Sequence, residues 1–298
     1  MKKLLFVMNP HAGMQKANRL LPDIIDIFNR ADYQVQTYMT AGRMDGAHAV
    51  ERWAKDVDLV VCCGGDGTFN ETVNGIVASG TDTPLGYIPA GSTNDFACSL
   101  KLPSNILAAA QSIVEGTPHR LDIGLFDTRH FTYVASFGAF TKVSYSVSQS
   151  VKKALGHTAY LLGGIRELSL IHKSHVRLEL DGNTLEDDFI FGAISNSTSV
   201  GGILTLDPTV VDMTDGKFEV MLIRAPRKLS ELGKCITALR KHTYNCEMIS
   251  FCTASDIRIT ASVDMDWTLD GERQPGLEQI HISNLHHAIQ IMKKDEIE

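Results

Sequence analysis

Five apolar residues, Leu59-Val60-Val61-Cys62-Cys63, run without a polar break into Gly64-Gly65-Asp66-Gly67-Thr68, and a helix-compatible stretch, 71–78, follows. An unbroken apolar run bounded by glycine reads as a strand buried on both faces. The glycines then let main chain approach whatever lies at the strand's end, since a Cβ would block the way. Strand, glycine turn and helix together form the arrangement in which backbone N–H groups meet a phosphate. A plain strand-to-helix turn explains the same five residues equally well. Neither familiar phosphate pattern fits. G-x-G-x-x-G read from Gly65 needs glycine where Asn70 stands, and no usable Gly-Lys-Ser/Thr occurs.

The rest of the first third repeats this alternation. Strands are predicted at 4–8, 35–39, 59–63 and 85–88, and helices at 17–30, 46–55, 71–78 and 105–114. Apolar strands alternating with amphipathic helices imply a parallel sheet covered on both faces. The 17–30 segment carries Leu20, Leu21, Ile24, Ile25, Ile27 and Phe28, a stripe of helical period. In such sheets ligands bind at the carboxyl ends of the strands. Three loops land there: Asn9-Pro10-His11-Ala12-Gly13, the Gly64-Gly65-Asp66-Gly67-Thr68 turn, and Pro89-Ala90-Gly91-Ser92-Thr93-Asn94-Asp95.

Beyond about residue 120 the texture changes to short β-rich runs at 121–126, 131–136, 175–180, 189–195, 218–223, 256–263 and 279–283. Asp181-Gly182-Asn183 is a hairpin signal between two of them. Helical stretches at 151–170 and 229–241 interrupt the pattern. The expected fold is an N-terminal α/β nucleotide-binding domain with a mainly parallel sheet, followed by an antiparallel β-sandwich-like domain with a few helices. The expected bounds are 1–120 and 121–285, with 286–298 a C-terminal segment free to return to the first domain. A chain of 298 residues can fill two such cores.

The net charge of −7 argues against a general nucleic-acid binder, which needs a basic surface. Six cysteines without a C-x-x-C pair read as reduced, core or near-core thiols of a cytoplasmic protein. The apolar stretch behind Lys2-Lys3 stops at Asn9-Pro10, too short for a secretory signal. No run reaches the roughly 18–20 apolar residues of a membrane-spanning helix.

Taken alone, Asn9-Pro10-x-x-Gly13 is a helix cap. Gly91-Ser92-Thr93-Asn94-Asp95 offers two hydroxyls, an amide and a carboxylate, or simply an N-cap for 96–100. Trp267-Thr268-Leu269-Asp270-Gly271-Glu272 reads as a turn with solvated carboxylates. Together, in this order, the four motifs resemble the bacterial diacylglycerol kinase-like lipid kinases, relatives of sphingosine kinases. The resemblance covers nearly the whole chain. Gly-Gly-Asp-Gly-Thr is shared with NAD kinases. Gly91-Ser92-Thr93-Asn94-Asp95-Phe96-Ala97 and Leu269-Asp270-Gly271-Glu272 point to the lipid branch.

The resemblance implies that ATP lies over Asn9, Pro10, His11, Ala12, Gly13, Thr40, Gly64, Gly65, Asp66, Gly67, Thr68, Phe69, Asn70, Glu71, Gly91, Ser92 and Asn94. It implies Glu272 as general base, with Asp66 and Asp95 in the acidic network around a catalytic Mg²⁺. A second, structural Mg²⁺ is implied at Asp212, Asp215 and Lys217, where a plain Asp-Gly hairpin is the alternative. Two departures are mild: His11-Ala12 precedes Gly13, and Ser92 replaces a more usual Thr. These roles suit phosphoryl transfer, which asks a protein for positioning and charge compensation, plus a base for a poorly reactive alcohol.

The implied reaction moves the γ-phosphate of ATP to a lipid alcohol, diacylglycerol first, in a cleft between the two domains. Rivals are NAD kinase-like phosphorylation of a soluble acceptor, and a non-catalytic nucleotide- or lipid-binding protein. A lipid acceptor implies transient peripheral contact at the inner face of the membrane, and a homodimer is one form open to the chain. The 151–170 segment, with Lys152 and Lys153 at its start, is either an amphipathic docking element or a core helix. Arg224, Arg227, Lys228, Lys234, Arg240 and Lys241 form a basic excess that is either a solvated face or a site for anionic headgroups.

Overall fold

The computed structural model describes residues 1–13, 15–138, 172–200, 204–244 and 246–294. The expected 151–170 helix lies outside them. The chain divides into two compact units, Met1–Ile123 with His286–Glu298, and Gly124–Leu285.

In the first unit, strands β1 (Lys2–Met8), β2 (Tyr33–Met39), β3 (Leu59–Gly64) and β4 (Leu85–Pro89) lie parallel in the order β2-β1-β3-β4. The continuous apolar runs of β1 and β3 are buried on both faces, from Leu4 to Met8 and from Leu59 to Cys63. Parallel neighbours need crossovers. These are supplied by helices α1 (Lys16–Arg30), α2 (Asp45–Trp53) and α3 (Asp66–Ser79). Two further helices, α4 (Asp95–Ser99) and α5 (Ile106–Glu115), follow β4. Ile24 and Phe28 of α1 join Ala109, Ala110 and Ile113 of α5 over Leu4, Phe6, Leu59 and Val61 in one core. The chain leaves β1 toward β2 on one side and returns to β3 on the other. Such a switch point opens a crevice at the carboxyl ends of β1 and β3.

Helix α3 starts at Asp66, five residues before the expected 71. Glycine propagates a helix poorly, so nothing local marks a start this early. Gly67 and Thr68 instead occupy its first turn, at the very end of β3.

Two strands extend across the bounds of the units: β5 (Thr117–Phe126) and β17 (Gln279–Lys293). The latter runs well past the expected 279–283. Its far end lies parallel to β4, with Ile291 opposite Leu85 and both residues fully buried.

The second unit contains β6 (Arg129–Phe131), β7 (Val134–Gly138), β8 (Ser174–Leu180), β9 (Asn183–Ser195), β12 (Phe218–Arg224), β13 (Ile249–Ala254), β14 (Asp256–Ala261), β15 (Trp267–Leu269) and β16 (Glu272–Gln274). Among its described residues, β7 to β9 and β12 to β16 pair antiparallel. A separate ribbon joins β10 (Ser199–Val200) to β11 (Leu204–Thr205), and α6 (Leu229–Arg240) lies between β12 and β13. The long β9 pairs first with β8 and then with β7 on one side and β12 on the other. Asp181-Gly182 joins β8 to β9 with φ of +47° and +87°, the signature of a tight primed hairpin turn. Trp267, tilted against Phe137 and edge-on to Phe126, lies in the core.

The expected strand 131–136 is broken into β6 and β7 at Thr132-Tyr133. All the cysteines are free, but Cys98 and Cys252 are exposed rather than near the core. Among the described residues, no helix is long and apolar enough to cross a membrane.

Candidate active site

The three expected loops do meet, and glycine permits it by letting main chain pack on main chain. A Cβ on Gly91 would stand 2.5 Å from Cα of Gly65. Gly13 has φ +54°, and a Cβ there would stand 2.4 Å from the carbonyl oxygen of Ala90. The glycines read as openings for a phosphate thus act first to close the loops on one another. Gly67 is different: a Cβ there meets nothing within 4 Å. Asn9 completes the junction. Its amide N–H donates to the Cys63 carbonyl at 3.0 Å, and its Nδ2 donates to Thr68 Oγ1 at 3.2 Å.

Asp66 holds the third loop. Its Oδ2 accepts from the Asp95 amide at 3.1 Å and its Oδ1 from the Phe96 amide at 3.3 Å. The carboxylate therefore caps α4 from a distant part of the chain, while standing in the first turn of α3, where negative charge is favoured. Asn94 sits at the N-cap position of α4 with φ +55° but makes no cap. Its Oδ1 accepts from Gly91 N at 2.9 Å and its Nδ2 donates to Gly91 O at 3.1 Å, closing the loop on itself. Gly65 precedes α3 and gives its N-terminus no capping side chain, the condition under which helix amides receive an anion.

The other predicted residues divide. Thr40 is nearly buried at the end of β2, its amide donating to Met8 O at 2.9 Å. Glu71 Oε1 accepts from Met44 N at 2.8 Å, which ties α3 to the approach of α2. Asn70 accepts from Asn74 Nδ2. Pro10 O accepts from Asn18, and His11 N donates to Asn9 Oδ1. His11 and Ser92 are exposed, with Ala12 between exposed and buried. Phe69 departs from expectation: its ring is fully buried between Tyr87 and Phe96, with centroids 4.4 and 4.9 Å away, so only its main chain can face a ligand.

In the second unit Glu272 opens β16, half-exposed, its Oε2 bound to Arg129 Nη2 at 2.6 Å. Asp270, expected to be a solvated turn carboxylate, is buried. Its oxygens accept from the amides of Thr132 (2.6 Å), Tyr133 (3.0 Å) and Val134 (3.1 Å) and from Thr132 Oγ1 (2.8 Å). Burial pushes this carboxyl above the usual carboxylate range, against the pull of those donors. The contact splits β6 from β7 and fixes the two-residue turn, Asp270 (φ +49°) and Gly271 (φ +83°), that presents Glu272.

Asp212 and Asp215 are exposed and hold their own turn: Asp212 Oδ1 accepts from Thr214, and Asp215 Oδ1 from Lys217 N. Sequence reasoning missed Glu219, two residues on. It is 2% exposed, its Oε2 has no hydrogen-bond partner, and burial pushes its carboxyl up to about 8. The Asp212 and Asp215 charges reinforce that rise. A glutamate inside an apolar strand is the one sequence signal that marked it.

Residues 3–126 match the family model for the diacylglycerol kinase catalytic domain, and 134–292 match the YegS C-terminal NAD kinase β-sandwich-like domain. The chain is 31% identical to a diacylglycerol kinase of Bacillus subtilis over 300 residues, covering 100% of this chain and 99% of that protein. A diacylglycerol kinase of Staphylococcus aureus is 30% identical over 299 residues, with 99% and 94% covered. A crystal structure from Bacillus anthracis, described as a candidate diacylglycerol kinase, superposes with a TM-score of 0.81 at 25% identity, over 98% of this chain and 95% of that one. With both halves matched and the whole length shared, this chain belongs to the diacylglycerol kinase-like family of lipid kinases.

Proposed function

We propose that the chain transfers the γ-phosphate of ATP to the hydroxyl of a membrane-derived lipid alcohol, diacylglycerol first among candidates. The observation that carries the nucleotide half is the uncapped N-terminus of α3, open at Gly67, at the switch point of a parallel sheet. That is a place for a phosphate held by main-chain N–H groups. Asn9, Gly13, Thr40, Gly64, Gly65, Thr68, Glu71, Gly91, Ser92 and Asn94 would surround or support it. Glu272 would accept the alcohol's proton as its oxygen bonds the γ-phosphorus and the bond to the bridging oxygen of ADP breaks.

A divalent cation supplies charge compensation to the phosphates in such reactions. Asp66 and Asp95, joined through the Asp95 amide, would hold Mg²⁺ there. The orphaned Glu219 oxygen beside Asp212 and Asp215 fits a second, structural cation, since a buried carboxylate oxygen left without a partner is costly. Main-chain carbonyls of the 212–217 turn would complete it.

Reaching a lipid calls for peripheral contact with a membrane from the cytoplasmic side. The exposed Arg227, Lys228, Lys234, Arg240 and Lys241 around α6 are its candidate face. The test is transfer of label from [γ-³²P]ATP to diacylglycerol, sphingoid and isoprenoid alcohols in vesicles with and without anionic lipid, with NAD as soluble control. Labelling of a lipid, faster on anionic vesicles, is expected. Labelling of NAD and no lipid overturns the proposal.

A further inference from the structure

Three metal-ligating side chains converge in the first unit, outside the residues described above. Asp122 lies on β5, and His286 and His287 lie on β17, its hydrogen-bonded neighbour. One ligand atom from each falls within 4.8 Å of the other two.

The local chain geometry is unusual. Successive residues of a strand point to opposite faces. Here His287 has φ +54°, and its ring stacks on that of His286, with centroids 3.7 Å apart and planes at 25°. A left-handed conformation at a non-glycine residue costs energy and persists only where its surroundings enforce it. The enforcing group is Asp122, which is fully buried. Its Oδ1 accepts the His287 amide at 2.7 Å and lies 3.0 Å from His286 Nδ1. Arg120 Nη1 donates to the His287 carbonyl at 3.4 Å, and Arg120 is itself held by Asp82 at 2.7 Å. A strained backbone is thus clamped from both sides, and its result is two imidazoles on one face beside a buried carboxylate.

We propose that Asp122, His286 and His287 bind one divalent transition-metal ion of the zinc class. Two imidazoles and a carboxylate suit Zn²⁺, Co²⁺ or Ni²⁺, whereas Mg²⁺ and Ca²⁺ take oxygen ligands. Bonds of about 2.0–2.2 Å leave tetrahedral ligand atoms roughly 3.2–3.6 Å apart, close to the Asp122–His286 contact already present. His286 is exposed and His287 partly so, which leaves their rings free to turn toward an ion. The bound ion cross-links β5 to β17, the strand whose far end completes the sheet beside β4.

The test uses the full chain, freed of metal and kept in excess Mg²⁺, titrated with Co²⁺ and followed by its visible absorption. One Co²⁺ per chain is expected, displaced by Zn²⁺, with Zn²⁺ also raising the melting temperature. His286→Ala and His287→Gly should each weaken binding about 10-fold or more, a loss seen even for groups that only support a ligand. Glycine tolerates the φ of position 287, so that variant keeps the turn and the amide donated to Asp122. His175→Ala, which removes a ring lying between Glu186 and Asp188, should change nothing. Absence of saturable one-to-one binding, parental affinity in either His286 or His287 variant, or an equal loss in the His175 variant overturns the proposal.

Discussion

At the scale of single residues, two carboxylates two positions apart along the chain do very different work from what their letters suggest. Asp270 is spent on the amides of Thr132, Tyr133 and Val134, while Glu272 keeps a half-exposed head bound to Arg129. Glu272→Ala should cost about 10²–10⁴ in phosphotransfer rate, the usual contribution of a general base. Nucleotide binding, measured by calorimetry, should stay nearly unchanged; near-normal turnover would remove Glu272 from the reaction. Glu219 yields a pH prediction. Its ordinary value is 4.5 and burial carries it to about 8 in the folded chain. Between those values the folded protein holds a proton that the unfolded chain has released. Stability without divalent cations therefore falls as pH rises through that window, by up to about 1.4 kcal/mol per unit. Glu219→Gln should flatten the slope in urea melts taken from pH 5 to 8. An unchanged slope in that variant would mean that another group titrates.

At the scale of elements, the site is built by loops that lock one another at the ends of strands. A Cβ on Gly65 or Gly91 would crowd the other's Cα, a Cβ on Gly13 would crowd the Ala90 carbonyl, and Asp66 in α3 begins α4. Gly91→Ala puts a methyl against main chain, which has no side-chain freedom to yield. The expected loss is about 1–3 kcal/mol in chemical denaturation, with weakened nucleotide binding. A change under about 0.5 kcal/mol would mean that the loops slide apart at little cost. The glycine cluster was visible in the sequence, but its purpose was not. Sequence reasoning gave the missing side chains of Gly65 and Gly91 to a ligand's approach, whereas the direction a Cβ would take on each is occupied by the other's loop. The helix start was misplaced for a related reason: propensity weighs Gly67 by itself, while the end of β3 sets where α3 begins.

At the scale of the whole molecule, the first unit is not contiguous in sequence. Its sheet takes a strand end from β17, some two hundred residues from β4 along the chain, and buries Ile289 and Ile291 with it. Ile291→Ala should lower stability by about 2–5 kcal/mol, as large-to-small changes in a packed core do. Tyr87 fluorescence cannot be isolated among the tyrosines, so hydrogen exchange at β4 amides is the measurement: protection there should fall, and unchanged protection would count against the long-range strand.

The alternation of apolar strands and amphipathic helices, the switch to short β-rich runs and the Asp181-Gly182 hairpin were legible in the sequence, because each depends on local period or local turn chemistry; the four ordered motifs were legible only through their resemblance to a known family. The tertiary structure alone decided that Asp66 caps a distant helix, that Phe69 belongs to the core, that Asp270 is buried while Glu272 is not, and that one oxygen of Glu219 is buried without a hydrogen-bond partner. Those outcomes depend on which groups water can still reach once remote segments close over them, and no spacing along the chain encodes that.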